Sequence, residues 1–312
     1  MKKILIIRFS SLGDIILSFP LINALKKEYP ESEIHYLTKS VYKTILELNP
    51  AISKIILFNG QPLGELKSEI KNDGYDLVLD IHKNFRSILL TLFTGLNVKR
   101  HRKDTIKKFL LVKFKINLFK KIIPVYKKYI KAVGEEFAKK FSHYTATELE
   151  FDRTRKYDFN YIVIAPSSKH FTKTYPKEKF VSYIKASSFK IILVGDESTK
   201  DKEICDQIEN ETNAINLCGR LSYNELANII FNSEYVVTND SAILHFSEML
   251  GKNVKAIFGS TVKEFGFFPQ LENSLVIENK NLKCRPCTHI GLPACPLGHF
   301  KCMNEIQIEK LN

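Results

Sequence analysis

Apolar residues in this chain fall in short, nearly continuous runs separated by longer stretches with helical spacing. Lys2–Arg8 is almost wholly Ile and Leu, the pattern of a parallel strand covered on both faces. A polar loop, Phe9–Asp14, follows, and Ile15–Glu28 reads as a helix that Pro20 should kink or restart. Strand Ile34–Leu37, helix Val41–Leu48, strand Ile55–Phe58, helix Leu63–Asn72, strand Leu77–Ile81 and helix Phe85–Phe93 are expected next. The alternation restarts at strand Tyr161–Ala165, with helix Lys177–Lys185, strand Lys190–Val194, helix Lys200–Asn210 and strand Ala214–Leu217. Helix Tyr223–Phe231, strand Tyr235–Thr238, helix Ala242–Leu250 and strand Val254–Phe258 complete it. Strands alternating with helices imply α/β domains with parallel sheets and right-handed crossovers. Two such sheets, joined near Phe151–Asn160, are expected to leave a cleft between them.

The length of 312 residues fits two domains. With 44% hydrophobic and 26% charged residues, composition excludes wholesale disorder. No apolar run is long enough to span a bilayer, and Met1-Lys2-Lys3 precedes too short an apolar stretch for a secretory signal. A cytoplasmic location follows as the expectation. Charge changes the picture more. The chain carries +13, and thirteen Lys/Arg against Asp104 alone lie between Lys99 and Lys131. Such a block either solvates helical faces or attracts polyanions such as nucleic acid, anionic lipid or a phosphorylated substrate.

In open α/β sheets ligands bind beyond the carboxyl ends of the strands. The loop Ser10-Ser11-Leu12-Gly13-Asp14 places hydroxyls, a glycine and a carboxylate at a helix entrance, fit for capping or for an anion. No G-x-G-x-x-G follows the strand. The loop Ala165–Pro176 holds Ser167, Ser168 and Lys173 before another helix, and Lys173 could oppose a phosphate. In a third loop, Asp240 and Ser241 reach a helix N-terminus with Ala242 and, one turn on, His245; capping and an interior histidine explain them equally. In the fourth, Phe258-Gly259-Ser260-Thr261, glycine would allow close backbone approach to a ligand.

Taken in order, these residues resemble glycosyltransferase family 9, the ADP-heptose:lipopolysaccharide heptosyltransferases. The resemblance rests on Arg8–Asp14 with Pro20, Tyr75–Asp80 followed by Asn84-Phe85-Arg86-Ser87, Lys173–Pro176, Asn239-Asp240-Ser241 with His245, Leu250-Gly251-Lys252 leading to Phe258–Thr261, and Cys295–Met303. It implies the GT-B architecture, two Rossmann-like domains facing across a cleft, with residues 1–156 binding acceptor and 157–312 binding the nucleotide-sugar. It further implies inverting, metal-independent transfer, with Asp14 matching the catalytic base, Lys173 the lysine at the donor diphosphate and Asp240 the carboxylate at the donor sugar. Ser241 and His245 match donor-side positions, Glu197 falls near an acidic residue at the nucleoside, and Ser167 and Ser168 complete the donor set. Ala242 departs from the family, which usually has Gly there; its Cβ would crowd the donor. The acceptor set is Ser10, Ser11, Gly13, Asn84, Arg86, Arg100 and Arg102. The implied partners are an ADP-heptose-like donor, a lipid A–inner core acceptor and the anionic cytoplasmic face of the inner membrane, which the basic segment 99–131 would meet. No cofactor is required on this reading.

Cys284, Cys287, Cys295 and Cys302 have a spacing open to two readings, a structural zinc site or reduced thiols packing a C-terminal loop. Cys205 and Cys218 read as core. The rival functions are a relative using another nucleotide-sugar, a GT-B nucleotide-sugar epimerase, and a nucleic-acid binder; against the last stands the lack of an aromatic stacking platform.

Overall fold

The computed structural model describes residues 1–308 and divides into two compact units. The first comprises Met1–Lys103 with Ile123–Glu150; the second comprises Asp104–Ile122 and the chain from Phe151 onward. The elements run β1 (Lys3–Ile7), α1 (Leu12–Ile16), α2 (Phe19–Glu28), β2 (Glu33–Lys39), α3 (Lys43–Leu46), β3 (Lys54–Phe58) and α4 (Leu63–Asn72). Next come β4 (Leu77–Asp80), α5 (Phe85–Thr91), β5 (Val98–Arg100), α6 (Thr105–Phe114), α7 (Val125–Lys131) and α8 (Glu135–Lys140). The rest are β6 (Tyr161–Ala165), α9 (Lys177–Ala186), β7 (Lys190–Leu193), α10 (Thr199–Glu211), β8 (Ile215–Asn216), α11 (Tyr223–Phe231), β9 (Val236–Asn239), α12 (Ala242–Met249), β10 (Val254–Phe258), β11 (Leu275–Glu278) and α13 (Lys301–Asn304).

Both sheets are parallel, as the alternation implies. The first has the order β3-β2-β1-β4-β5 and the second β11-β10-β9-β6-β7-β8. The central strands are apolar throughout because both faces are covered: Ile4–Ile7 and Tyr161–Ala165 are buried without exception. In each sheet the chain first builds outward to one side and then returns to the other. This makes switch points between β1 and β4 and between β6 and β9, where an open parallel sheet leaves a crevice for ligands.

Several expectations need correction. The single helix Ile15–Glu28 is two helices, because the Pro20 ring would strike the carbonyl of Ile16, so the helix ends at Leu17 and restarts from Ser18. β5 and β11 are short edge strands beyond the expected series, and β5 lies hidden within the basic run. That run is also divided. Residues 104–122 group with the second unit, and the chain passes to it at Phe151, so the 156/157 boundary and the placement of all of 99–131 in the first domain do not match the packing. The C-terminal segment completes the second core, with Cys302, Met303, Ile306 and Ile308 packed among Tyr175, Phe180 and Cys205.

In the second unit the buried carboxyl of Glu248 has no ion pair among the described residues. Glu248 on α12 accepts the amides of Gln270 and Leu271 at 2.7–2.8 Å, and burial raises it from 4.5 to about 7 despite those bonds. A raised carboxyl binds its proton more tightly in the folded state. The contribution of Glu248 to stability is then fully present below pH 4.5 and is lost as pH climbs to about 7, by about 3 kcal/mol in all. Glu248→Gln should flatten that decline and raise stability at pH 8; urea unfolding at pH 5 and 8 checks it, and an unchanged pH slope refutes it.

Candidate active site

Two clusters of chemistry-bearing residues form, one at each switch point. In the first unit, the register Ile7↔Asp80 sets the loops after β1 and β4 side by side. Arg8 donates to the Ile81 carbonyl at 2.8 Å and the Phe9 amide to His82 Nδ1 at 3.1 Å. Asp14 occupies the third position of α1 and reaches back to the N-cap Ser11, accepting from its hydroxyl at 2.8 Å and its amide at 3.4 Å. Asp14 therefore caps its helix, yet it does more. Arg8 Nη2 lies 2.7 Å from Oδ2, and the hydroxyl of Tyr129, on α7, donates to Oδ1 at 3.0 Å. Burial alone would favour the neutral acid; the Arg8 charge and the Ser11 and Tyr129 hydrogen bonds outweigh it and hold Asp14 below the usual carboxylate range. Burial also drives His82 down to about 4 and His101 to about 3, with Arg8 adding to both, so both imidazoles are neutral at pH 7.

The other acceptor candidates separate. Ser10 and Gly13 precede Asp14 in the chain, and the Ser10–Ser11 peptide is cis. Asn84 caps α5 through the Ser87 amide at 2.9 Å, while Arg86 and Arg102 are exposed. Arg100 is already engaged, by Asp80 at 3.2 Å and Thr91 at 2.6 Å. Lys99 donates to the Val133 carbonyl and Lys103 to that of Lys83, so this part of the basic run is largely tied down.

In the second unit, Lys173 and Asp240 meet directly, Nζ to Oδ2 at 2.8 Å, and Thr261 donates to the same oxygen at 2.6 Å. Three loops thus converge, those after β6, β9 and β10. Asn239, the last residue of β9, ties the loop after β6 to its own strand end: its Oδ1 accepts the Tyr175 amide at 3.0 Å and its Nδ2 donates to the Pro166 carbonyl at 2.8 Å. Ser241 caps α12 by position, with its Oγ 3.1 Å from Thr238 Oγ1, and Ala242 begins the helix. Ser168 offers its carbonyl to Lys200 at 2.5 Å. Ser167 is buried, and its hydroxyl has no hydrogen-bond partner among the described residues. His245 is buried with its ring 6.0 Å from that of Phe267. Glu197 is exposed in the loop after β7, at the same end of the sheet. The space beside Gly259 is taken by the chain itself: a Cβ there would meet the Thr172 carbonyl at 2.8 Å and Met303 at 2.6 Å, so the glycine serves internal packing.

The zinc reading of the four C-terminal cysteines is not supported, since no group of ligands able to hold a metal ion exists among the described residues. All six cysteines are free thiols, Cys205 and Cys218 buried as expected, and burial with neighbouring cysteines pushes Cys302 up to about 11. Among the described residues no helix is long and apolar enough to cross a membrane.

Sequence reasoning passed over Arg8, Tyr129, Asn239 and Thr261 as site residues. Arg8, Asn239 and Thr261 stood inside the quoted motifs, as neighbours of the residues singled out. Tyr129 is 115 residues from Asp14 and carried no local signal.

The chain matches the family model "Glycosyltransferase family 9 (heptosyltransferase)" over residues 63–296. Lipooligosaccharide heptosyltransferase 2 of Haemophilus influenzae is 24% identical, over 84% of this chain and 85% of its own. Among solved structures, Escherichia coli ADP-heptose lps heptosyltransferase II superposes with a TM-score of 0.73 at 18% identity, covering all of both chains. An E. coli heptosyltransferase determined with ADP-2-deoxy-2-fluoro heptose gives 0.67 at 16% identity, over 92% of this chain and 96% of that one. The two parallel sheets are those of the GT-B fold, and the chain belongs to glycosyltransferase family 9 (heptosyltransferase) and is a glycosyltransferase.

Proposed function

We propose that this enzyme moves heptose from ADP-heptose to the inner core of lipopolysaccharide, with inversion and without a metal, at the anionic cytoplasmic face of the inner membrane. The observation that carries the reading is the chemistry at the two switch points, an ionised carboxylate in one unit and a lysine–carboxylate pair beside a helix N-terminus in the other. The heptosyltransferase relatives and the structure solved with an ADP-heptose analogue support the donor and acceptor classes.

The acceptor hydroxyl oxygen attacks the anomeric carbon as the bond from that carbon to the diphosphate oxygen breaks. The hydroxyl proton passes to Asp14, and ADP leaves with the bonding electrons. Arg8 guarantees that Asp14 is ionised at neutral pH but makes it a weak base. Proton transfer is therefore late, when the attacking oxygen has already lost electron density and become acidic. Lys173 and the amides at the start of α12 oppose the charge growing on the diphosphate. Asp240, anchored by Lys173 and Thr261, receives hydroxyls of the donor sugar, and Glu197 the nucleoside. Ser10, Ser11, Gly13, Asn84, Arg86 and Arg102 are the acceptor-side candidates, Arg100 acting through Asp80.

Calorimetry with ADP-, UDP- and GDP-sugars tests the donor. ADP-heptose should bind at least about tenfold more tightly than the others, a difference of about 1.4 kcal/mol. Equal binding of all three would refute the adenine preference, and turnover of donor without acceptor to an isomerised sugar nucleotide would refute transfer.

A further inference from the structure

We infer that the segment from Thr105 to Lys121 is an interfacial anchor, entering an anionic bilayer through Ile106, Phe109 and Phe114. The inference rests on the proposed membrane location and adds the element that makes the contact. One side of the segment is fastened to the second unit. Leu111 is buried, Lys108 Nζ lies 5.7 Å from the rings of Phe265 and Phe267, Lys115 donates to the Pro286 carbonyl at 2.6 Å and Asn117 to Glu264 at 3.1 Å. The other side is apolar and uncovered. Ile106 is 74% exposed, Phe109 57% and Phe114 56%, and the two phenylalanine rings touch edge to face with centroids 6.0 Å apart. Ile116 and Leu118 continue the exposed set. Large apolar side chains gathered in one short segment mark a surface that something covers.

Charge decides what covers it. Six lysines lie in residues 104–122, and the acidic residue there is Asp104, already near Lys107. A second copy docked on the same face would set lysine against lysine. Nucleic acid would satisfy the lysines but leave Ile106, Ile116 and Leu118 nothing to stack upon. An anionic bilayer takes both, acyl chains receiving the apolar side chains and headgroups the ammonium groups. α6 has ten residues, too few to span, so it lies within the interface.

The chain contains no tryptophan, so Phe109→Trp would report from this one exposed position. With phosphatidylcholine vesicles containing phosphatidylglycerol at low salt, its emission should shift to the blue and be quenched by lipids brominated on their acyl chains. Added salt, or vesicles of phosphatidylcholine alone, should abolish both effects. Adding Phe114→Ser should weaken partitioning by about tenfold or more. Binding without shift or quenching would overturn the anchor while leaving the membrane location standing. Absence of binding would overturn both. A blue shift that grows with protein concentration in the absence of lipid would overturn it in favour of self-association. Transfer to a delipidated, water-soluble acceptor, measured on the same variant, reads the catalytic proposal separately.

Discussion

Replacing Asp14 by Asn should cut turnover by about 100-fold or more while donor affinity changes little, the scale expected when a positioned general base is lost. Asparagine keeps the shape: its one amide oxygen can take the place of Oδ2 and accept from Ser11, while its NH2, in the place of Oδ1, donates to the Tyr129 hydroxyl instead of accepting from it, so the cap at the start of α1 survives. What is lost is the proton acceptor and the charge opposite Arg8. Turnover near the wild-type rate would make Asp14 a cap and nothing more. The pH profile supplies an independent reading. Because Asp14 sits below the usual carboxylate range, the acid limb of kcat attributable to it should lie below pH 4, leaving activity flat with respect to this group from pH 5 to 8. The same depression contributes to stability. Its share is present above the unfolded value of 3.8 and is lost as pH falls through the folded one. Tyr129→Phe, which removes one stabilising hydrogen bond, should move the acid limb upward.

Lys173→Ala should lower kcat by on the order of 100-fold and weaken donor binding, since in the proposed mechanism the side chain that holds Asp240 would also oppose the diphosphate. The pair is nearly buried, Lys173 and Asp240 being 15% and 7% exposed, and removing one partner strands the other. Breaking such a pair costs about 3 kcal/mol or more, so the melting temperature should fall as well. Asp240→Asn separates the two effects. It relieves the stranded charge, so Lys173→Ala combined with Asp240→Asn should recover stability but not turnover. Recovery of both would make the pair a structural ion pair without a part in transfer.

Much of the fold was legible because parallel strands covered on both faces must be apolar throughout. The runs at Ile4–Ile7, Leu77–Leu79 and Tyr161–Ala165 cannot easily be anything else. Edge strands escaped notice for the converse reason. Val98–Arg100 and Leu275–Glu278 are only partly covered, so their composition is not constrained to the same pattern. The split of the expected helix at Pro20 was visible in outline, since proline's missing amide and its ring act locally.

The candidate site divides along the same line. Asp14, Lys173, Asp240 and Ser241 could be picked out because each stands in a loop following a strand, and the order of those loops along the chain carried the family resemblance. The basic run could be counted but not apportioned. Lys99, Arg100 and Lys103 turn inward to Val133, Asp80 and Lys83, whereas residues 104–122 pack on the other unit and leave their apolar side chains exposed. Tyr129 on Asp14, Thr261 on Asp240 and Asn239 on the loop after β6 are likewise tertiary facts.

Local chemistry, then, was decided by the chain alone: which segments become buried parallel strands, where proline breaks a helix, and which loops carry carboxylates, hydroxyls and lysines. Burial and periodicity act over a few residues and leave their mark there. Partnership was decided only by the tertiary structure. Whether a carboxylate is ionised, whether an arginine is available or spent, and whether four cysteines converge all depend on side chains far apart in sequence, and electrostatic and hydrogen-bond energies fall off within a few ångströms of the wrong neighbour.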